Sequence, residues 1–166
     1  MESDEQFLAM LAEVLYKERV EAIIVGNMAS ILHNAPVTTQ DIDILVRGTK
    51  IVRARLNKVA RALGGIGPLD ISDLTSVQKI VGAAVPVDIL YDQISGGLKF
   101  ESVRARSTRM KFGKYSIAVA SLRDVIKSKT AVNRPKDRAV LPVLHDTLRV
   151  TEALDAGSKQ GRYGKK

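Results

Sequence analysis

A chain of 166 residues, 45% hydrophobic and 27% charged, has the length and apolar content of one folded domain with its own core. It contains no cysteine, which rules out a disulfide scaffold, a thiolate metal site and a cysteine nucleophile, and suits a reducing compartment. The 26 lysines and arginines outnumber the 18 acids, and the resulting charge of +8 draws polyanions such as nucleotides and RNA toward the molecule.

The acidic start, Met1-Glu2-Ser3-Asp4-Glu5, is unlike a signal peptide, and no apolar run approaches the roughly 20 residues of a bilayer span, so a cytoplasmic protein without membrane contact is expected. Ser3 with Gln6 is a capping-box pattern, and Phe7, Leu8, Leu11, Val14 and Leu15 recur at helical spacing, predicting a helix over 4–17. The run Ala22-Ile23-Ile24-Val25 reads as a strand that stops at Gly26, and the helix formers from Met28 to Leu32 follow at once. A strand handing over to a helix at glycine leaves backbone N–H groups free, and the Gly26-Asn27 turn is therefore a candidate phosphate cradle, with the Asn27 amide as an added donor.

Beyond Pro36, the alternating run Asp41-Ile42-Asp43-Ile44-Leu45-Val46 predicts a strand with both aspartates on one face. Adjacent carboxylates repel unless a cation lies between them, and oxygen ligands on a rigid strand suit Mg²⁺ or Mn²⁺. Thr49 caps a predicted helix over 50–63 whose outer positions, Lys50, Arg53, Arg55, Lys58 and Arg61, include no acid: a solvated face or a surface for nucleic acid. Short strands are expected over 66–71, 77–81 and 85–90; the last carries Asp88, with Asp92 just beyond it as a competitor for the same role.

Residues 99–119 read as a hairpin turning near Gly113, with a long first arm over 103–112 and six basic residues, Lys99, Arg104, Arg106, Arg109, Lys111 and Lys114, against the single acid Glu101. Ser121 and Asp124 open a helix running to about Ala131, Asn133-Arg134-Pro135 interrupts it, and Pro135 starts a final helix loosened at Pro142. Residues 1–156 form one domain in this reading. Residues 157–166, with three glycines and the cations Lys159, Arg162, Lys165 and Lys166, are expected to be a disordered basic tail.

Taken together, Gly26-Asn27, the Asp41-Ile42-Asp43 strand about a dozen residues on, and Val85-Pro86-Val87-Asp88-Ile89-Leu90 resemble the signature of the DNA polymerase beta-like nucleotidyltransferase superfamily. The string from Ser121 to Lys129, followed by Arg134-Pro135-Lys136-Asp137, is similar to the C-terminal half of its small prokaryotic members. Asn27 stands where that family has Gly or Ser. The resemblance implies an α/β fold with a mixed, partly antiparallel sheet and helices packed on one side. It implies that Asp41, Asp43 and Asp88 bind divalent metal and serve catalysis, that Gly26, Asn27 and Lys129 hold the phosphates of an NTP, and that an NMP passes to an acceptor hydroxyl. The basic surfaces point to RNA, including tRNA, as acceptor, and small relatives of this kind include enzymes that modify tRNA ends or partner proteins, members of toxin–antitoxin pairs with a partner protein, and antibiotic-modifying enzymes. Two other readings stay open on the sequence: a nucleotide-binding regulator that has lost transfer through Asn27, and a plain RNA-binding module.

Overall fold

The computed structural model describes residues 2–73 and 75–163, with the backbone alone for residues 2 and 161–163. In chain order the elements are α1 (Glu2–Lys17), β1 (Ala22–Val25), α2 (Gly26–Leu32), β2 (Ile42–Val46), α3 (Lys50–Ala62), β3 (Ile66–Asp70), β4 (Gln78–Val81), β5 (Val87–Tyr91), β6 (Gln93–Ile94), β7 (Leu98–Lys99), α4 (Phe100–Arg106), β8 (Thr108–Phe112), β9 (Tyr115–Val119), α5 (Leu122–Val132) and α6 (Pro135–Tyr163). Seven strands make one mixed sheet in the order β3-β4-β5-β2-β1-β9-β8, and β6 pairs with β7 as a separate ribbon. The joins β5-β2 and β1-β9 are parallel, and the other four are antiparallel.

Register decides what each face carries, because cross-strand partners project to the same side. Val25 pairs with Asp43 and Asp43 with Asp88, so Ile23, Val25, Asp43, Leu45, Asp88 and Leu90 share one face. Ile24, Ile42, Ile44, Val46, Val87, Ile89 and Tyr91 occupy the other. Ile23 and Ile24 are both fully buried, so the inner strands are covered on both faces, more than a sheet with helices on one side requires. The Arg53 guanidinium of α3 lies over the Tyr91 ring, 3.8 Å from its centroid, which places α3 on the face away from the aspartates. α5 lies on the aspartate face, where Val125 and Lys129 border the same cavity as Asp43.

Local signals explain most boundaries. The Thr49 hydroxyl accepts from the Val52 amide at the start of α3, and the Ser121 hydroxyl accepts from the Asp124 amide at the start of α5. Asn133 ends α5 in the left-handed conformation at φ 55°, a geometry asparagine tolerates better than most residues.

Two expectations are corrected. The first arm of the predicted hairpin is helical over Phe100–Arg106, and only Thr108–Phe112 pairs with Tyr115–Val119. Phe100 and Val103, three apart, are both buried, while Arg106 reaches the buried Asp124 at 3.0 Å, so tertiary packing selects the helix for a run that local pattern leaves undecided. The basic tail is also partly helical, since α6 continues through Tyr163 without interruption at Pro142. Residues 151–160 are all exposed, tied to the rest of the molecule through the Glu152–Arg123 ion pair; Gly164, Lys165 and Lys166 lie outside the described residues. No helix among the described residues is long and apolar enough to cross a membrane.

Candidate active site

Asp41 and Asp43, two apart at the start of β2, project from one face, and the parallel join to β5 sets Asp88 beside Asp43. One carboxylate oxygen from each of Asp41, Asp43 and Asp88 lies within 4.8 Å of the others. Thr39 holds Asp41 in place, its hydroxyl lying 2.9 Å from the Asp41 carbonyl oxygen and 3.3 Å from Oδ1. The competitor Asp92 turns the chain at the far end of the strand, at φ 67°, and its Oδ1 accepts from the Gly48 amide at 2.8 Å. It plays no part in this cluster.

Burial pushes the Asp43 carboxyl up to about 7, and the neighbouring charges of Asp41 and Asp88 add to the effect while Lys129 opposes it. A residue the sequence does not single out also enters here. Lys79 of β4 is the cross-strand partner of Asp88, and its Nζ stands 2.9 Å from Asp88 Oδ1 and 3.6 Å from Asp41 Oδ2. The contact with Asp88 raises the Lys79 ammonium above its ordinary value against the opposing cost of burial, and the Asp41 charge adds to the rise.

Gly26 is required by its surroundings. It sits at φ +66°, and a Cβ there would lie 2.2 Å from Asp43 Oδ2, so the turn presses directly against the carboxylate. Beside it, the Asn27 Nδ2 donates to the Thr38 carbonyl at 3.4 Å and leaves Oδ1 buried without a partner. Among the described residues, Asn27 Oδ1 and Asp88 Oδ1 are the buried side-chain polar atoms lacking a hydrogen bond, and both residues line one cavity. The Lys79 ammonium is within ion-pair distance of Asp88 Oδ1 without hydrogen-bond alignment. Clustered carboxylates, one of them held reluctant to ionise, are the donor set that a hard divalent cation satisfies.

The cavity, about 300 Å³, is closed on its far side by α5 and α6, and it adjoins a second of about 270 Å³ bordered by Gly26 and Ser128. Lys129, Arg134 and Asp137 line both. Asp137 is fully buried; it pairs with Arg134 at 2.7 Å and with Lys129 at 3.5 Å, joining the end of α5 to the start of α6. Burial would raise the Asp137 carboxyl, but hydrogen bonds from the Arg134 side chain and backbone, with the charges of Arg134 and Lys129, hold it below the usual range. The structure thus gathers Gly26, Asn27, Asp41, Asp43, Asp88 and Lys129 around one space, with Arg134, Lys136 and Asp137 beside them.

The broader basic surfaces lie elsewhere. The cationic face of α3 is behind the sheet, and Arg109 and Lys111 stand on the edge strand β8. Arg104 pairs with Glu21, and Arg106 with Asp124.

Compared with family models and with curated proteins, the sequence matches none. Solved structures do match. The crystal structure of ANT(2'')-Ia in complex with adenylyl-2''-tobramycin superposes with a TM-score of 0.61 at 15% identity, over 98% of this chain and 99% of that one. The solution structure of the antibiotic-resistance factor ANT(2'')-Ia gives 0.60 at 11% identity, over 98% of each chain. TM1012 from Thermotoga maritima, to which a nucleotidyltransferase function is ascribed, gives 0.57 at 16% identity, over 82% of this chain and 89% of that one. Across nearly its whole length, this chain has the fold of nucleotidyltransferase structures.

Proposed function

We propose that the protein transfers a nucleoside monophosphate from an NTP to an acceptor hydroxyl. The observation that carries this reading is the convergence of Asp41, Asp43 and Asp88 within 4.8 Å of one another on the floor of a cavity whose opposite wall is cationic. Asp41 and Asp43, with Asp88 closing the set, would hold Mg²⁺ or Mn²⁺, which when bound neutralises charge on the triphosphate oxygens.

The chain's own groups take the remaining roles. The free N–H groups at the start of α2, made approachable by Gly26, face the phosphates. The Asn27 side chain, with its donor turned to Thr38, offers the nucleotide an acceptor instead. Lys129 and Arg134 supply positive charge where pyrophosphate leaves. Asp88 accepts the proton of the acceptor hydroxyl as its oxygen bonds to the α-phosphorus and the bond to the bridging oxygen breaks. No side-chain nucleophile is required.

RNA, tRNA ends included, is the acceptor this lining favours. Asp137 is matched by Lys129 and Arg134, and Asp41, Asp43 and Asp88 by the cation and Lys79, so the charged residue left over in the lining, Lys136, is positive. Such a mouth suits a polyanion bearing a hydroxyl better than a polycation.

The test is incubation with each α-labelled NTP and Mg²⁺, with total RNA in one arm and an aminoglycoside such as tobramycin in another. Label is expected in RNA, falling about a hundredfold or more in Asp43→Asn. Label in tobramycin alone would replace the acceptor, and NTP binding without any transfer would favour the second reading. That second reading, a nucleotide-binding regulator without transfer, is favoured by one observation: Asn27 buries an unpartnered Oδ1 in the cavity, where an acceptor oxygen repels phosphate.

A further inference from the structure

Lys79 belongs to none of the roles above, and its position is fixed more firmly than that of a surface lysine. Its strand is paired on both sides, so Lys79 lies between Leu69 of β3 and Asp88 of β5 in the same ladder. That register directs its side chain to the aspartate face. The ammonium meets Asp88 at 2.9 Å and Asp41 at 3.6 Å, and the side chain is only 24% exposed.

We infer that Lys79 is a built-in counter-ion that occupies the place of a second divalent cation, making this a one-metal site. The inference rests on the reading of Asp41, Asp43 and Asp88 as a cation site and deepens it. Charge argues the same way. Three carboxylates with one ammonium leave two negative charges, which a single divalent ion cancels. A second ion beside Asp88 would have to approach Lys79 at about 4 Å, a separation at which like charges repel appreciably even in water. Lys79 has a further consequence for Asp88: it holds one carboxylate oxygen toward β4 and leaves the other toward Asp43 and the cavity. Lys79 is thus a positioning residue, acting on the acceptor site through Asp88.

The experiment is a titration of the full chain with Mn²⁺ alone, bound and free ion being separated by the paramagnetic resonance signal of free Mn²⁺. Wild type is expected to take up one ion per chain. Lys79→Met is expected to take up two, the first about tenfold or more tightly than wild type. Lys79→Arg, which keeps the charge, is expected to return to one. Thermal unfolding in EDTA establishes that each variant is folded, and Lys79→Gln replaces the methionine variant if that one is not. Two ions in wild type, or one ion at unchanged affinity in the neutral variants, would overturn the inference and leave the cation site itself standing. No uptake by any form would bring down the nucleotidyl-transfer reading, and this inference with it.

Discussion

Asp43 concentrates the site's cost in one side chain. Its carboxyl is pushed up to about 7 by burial and by Asp41 and Asp88, so the folded, metal-free protein holds a proton that the unfolded chain has already released. The contribution of Asp43 to stability is therefore fully present below about pH 4 and is lost as pH rises to about 7. Urea unfolding in EDTA across that window is expected to show the decline, and Asp43→Asn to flatten it. Mn²⁺ is expected to restore wild-type stability at the upper end. Gly26 makes a separate prediction at the same spot. Its φ of +66° costs a side-chain residue about 1–2 kcal/mol, and an added Cβ would displace Asp43 Oδ2. Gly26→Ala is thus expected to lose both stability and Mn²⁺ affinity, read by unfolding and by metal titration. Both residues were legible in the sequence, Gly26 as the break between an apolar run and a helix, Asp43 through strand alternation. Lys79 was not, because a lysine in a short polar strand looks like any solvated one until the register with Asp88 is known.

Among the elements, the joint between α5 and α6 matters most. Asp137 is fully buried and engages Lys129 from one helix and Arg134 from the turn between them. Asp137→Ala would leave a nearly buried ammonium unpaired, and a loss of about 3–5 kcal/mol in denaturant unfolding is expected, together with weaker NTP binding. The sequence marked this region well, since Ser121, Asn133 and Pro135 are local signals that act within a few residues. It misplaced α4 for the opposite reason. The run Phe100-Glu101-Ser102-Val103-Arg104-Ala105-Arg106 suits strand or helix alike, and the choice is made by distant partners: Glu21 for Arg104 and Asp124 for Arg106. Sheet order is illegible from sequence for a similar cause, since β1 lies between β2 and β9, a neighbour nearly a hundred residues later.

For the molecule as a whole, charge and stability are carried by different parts. The segment 157–166 holds four of the cations and no acid, half of the net +8, while residues 151–160 are exposed throughout. Deleting 157–166 is expected to leave the unfolding midpoint within about 1 °C. RNA affinity, measured at several salt concentrations, is expected to fall, with a shallower salt dependence, by about 0.7 in the logarithmic slope for each phosphate contact removed.

The parallel pairing of β2 with β5 also bears on how the chain comes to life. Asp41 and Asp43 leave the ribosome close together, but Asp88 reaches them only when β5 zips onto β2, and Lys129 only when α5 has docked. Bringing residues so far apart in sequence together costs loop-closure entropy. A nascent or half-made copy therefore offers two carboxylates and the Gly26 turn, without the third carboxylate or the Lys129 cation. On the proposed function the site is complete only once these contacts have formed, so that uptake of a cation and nucleotide would report a finished molecule.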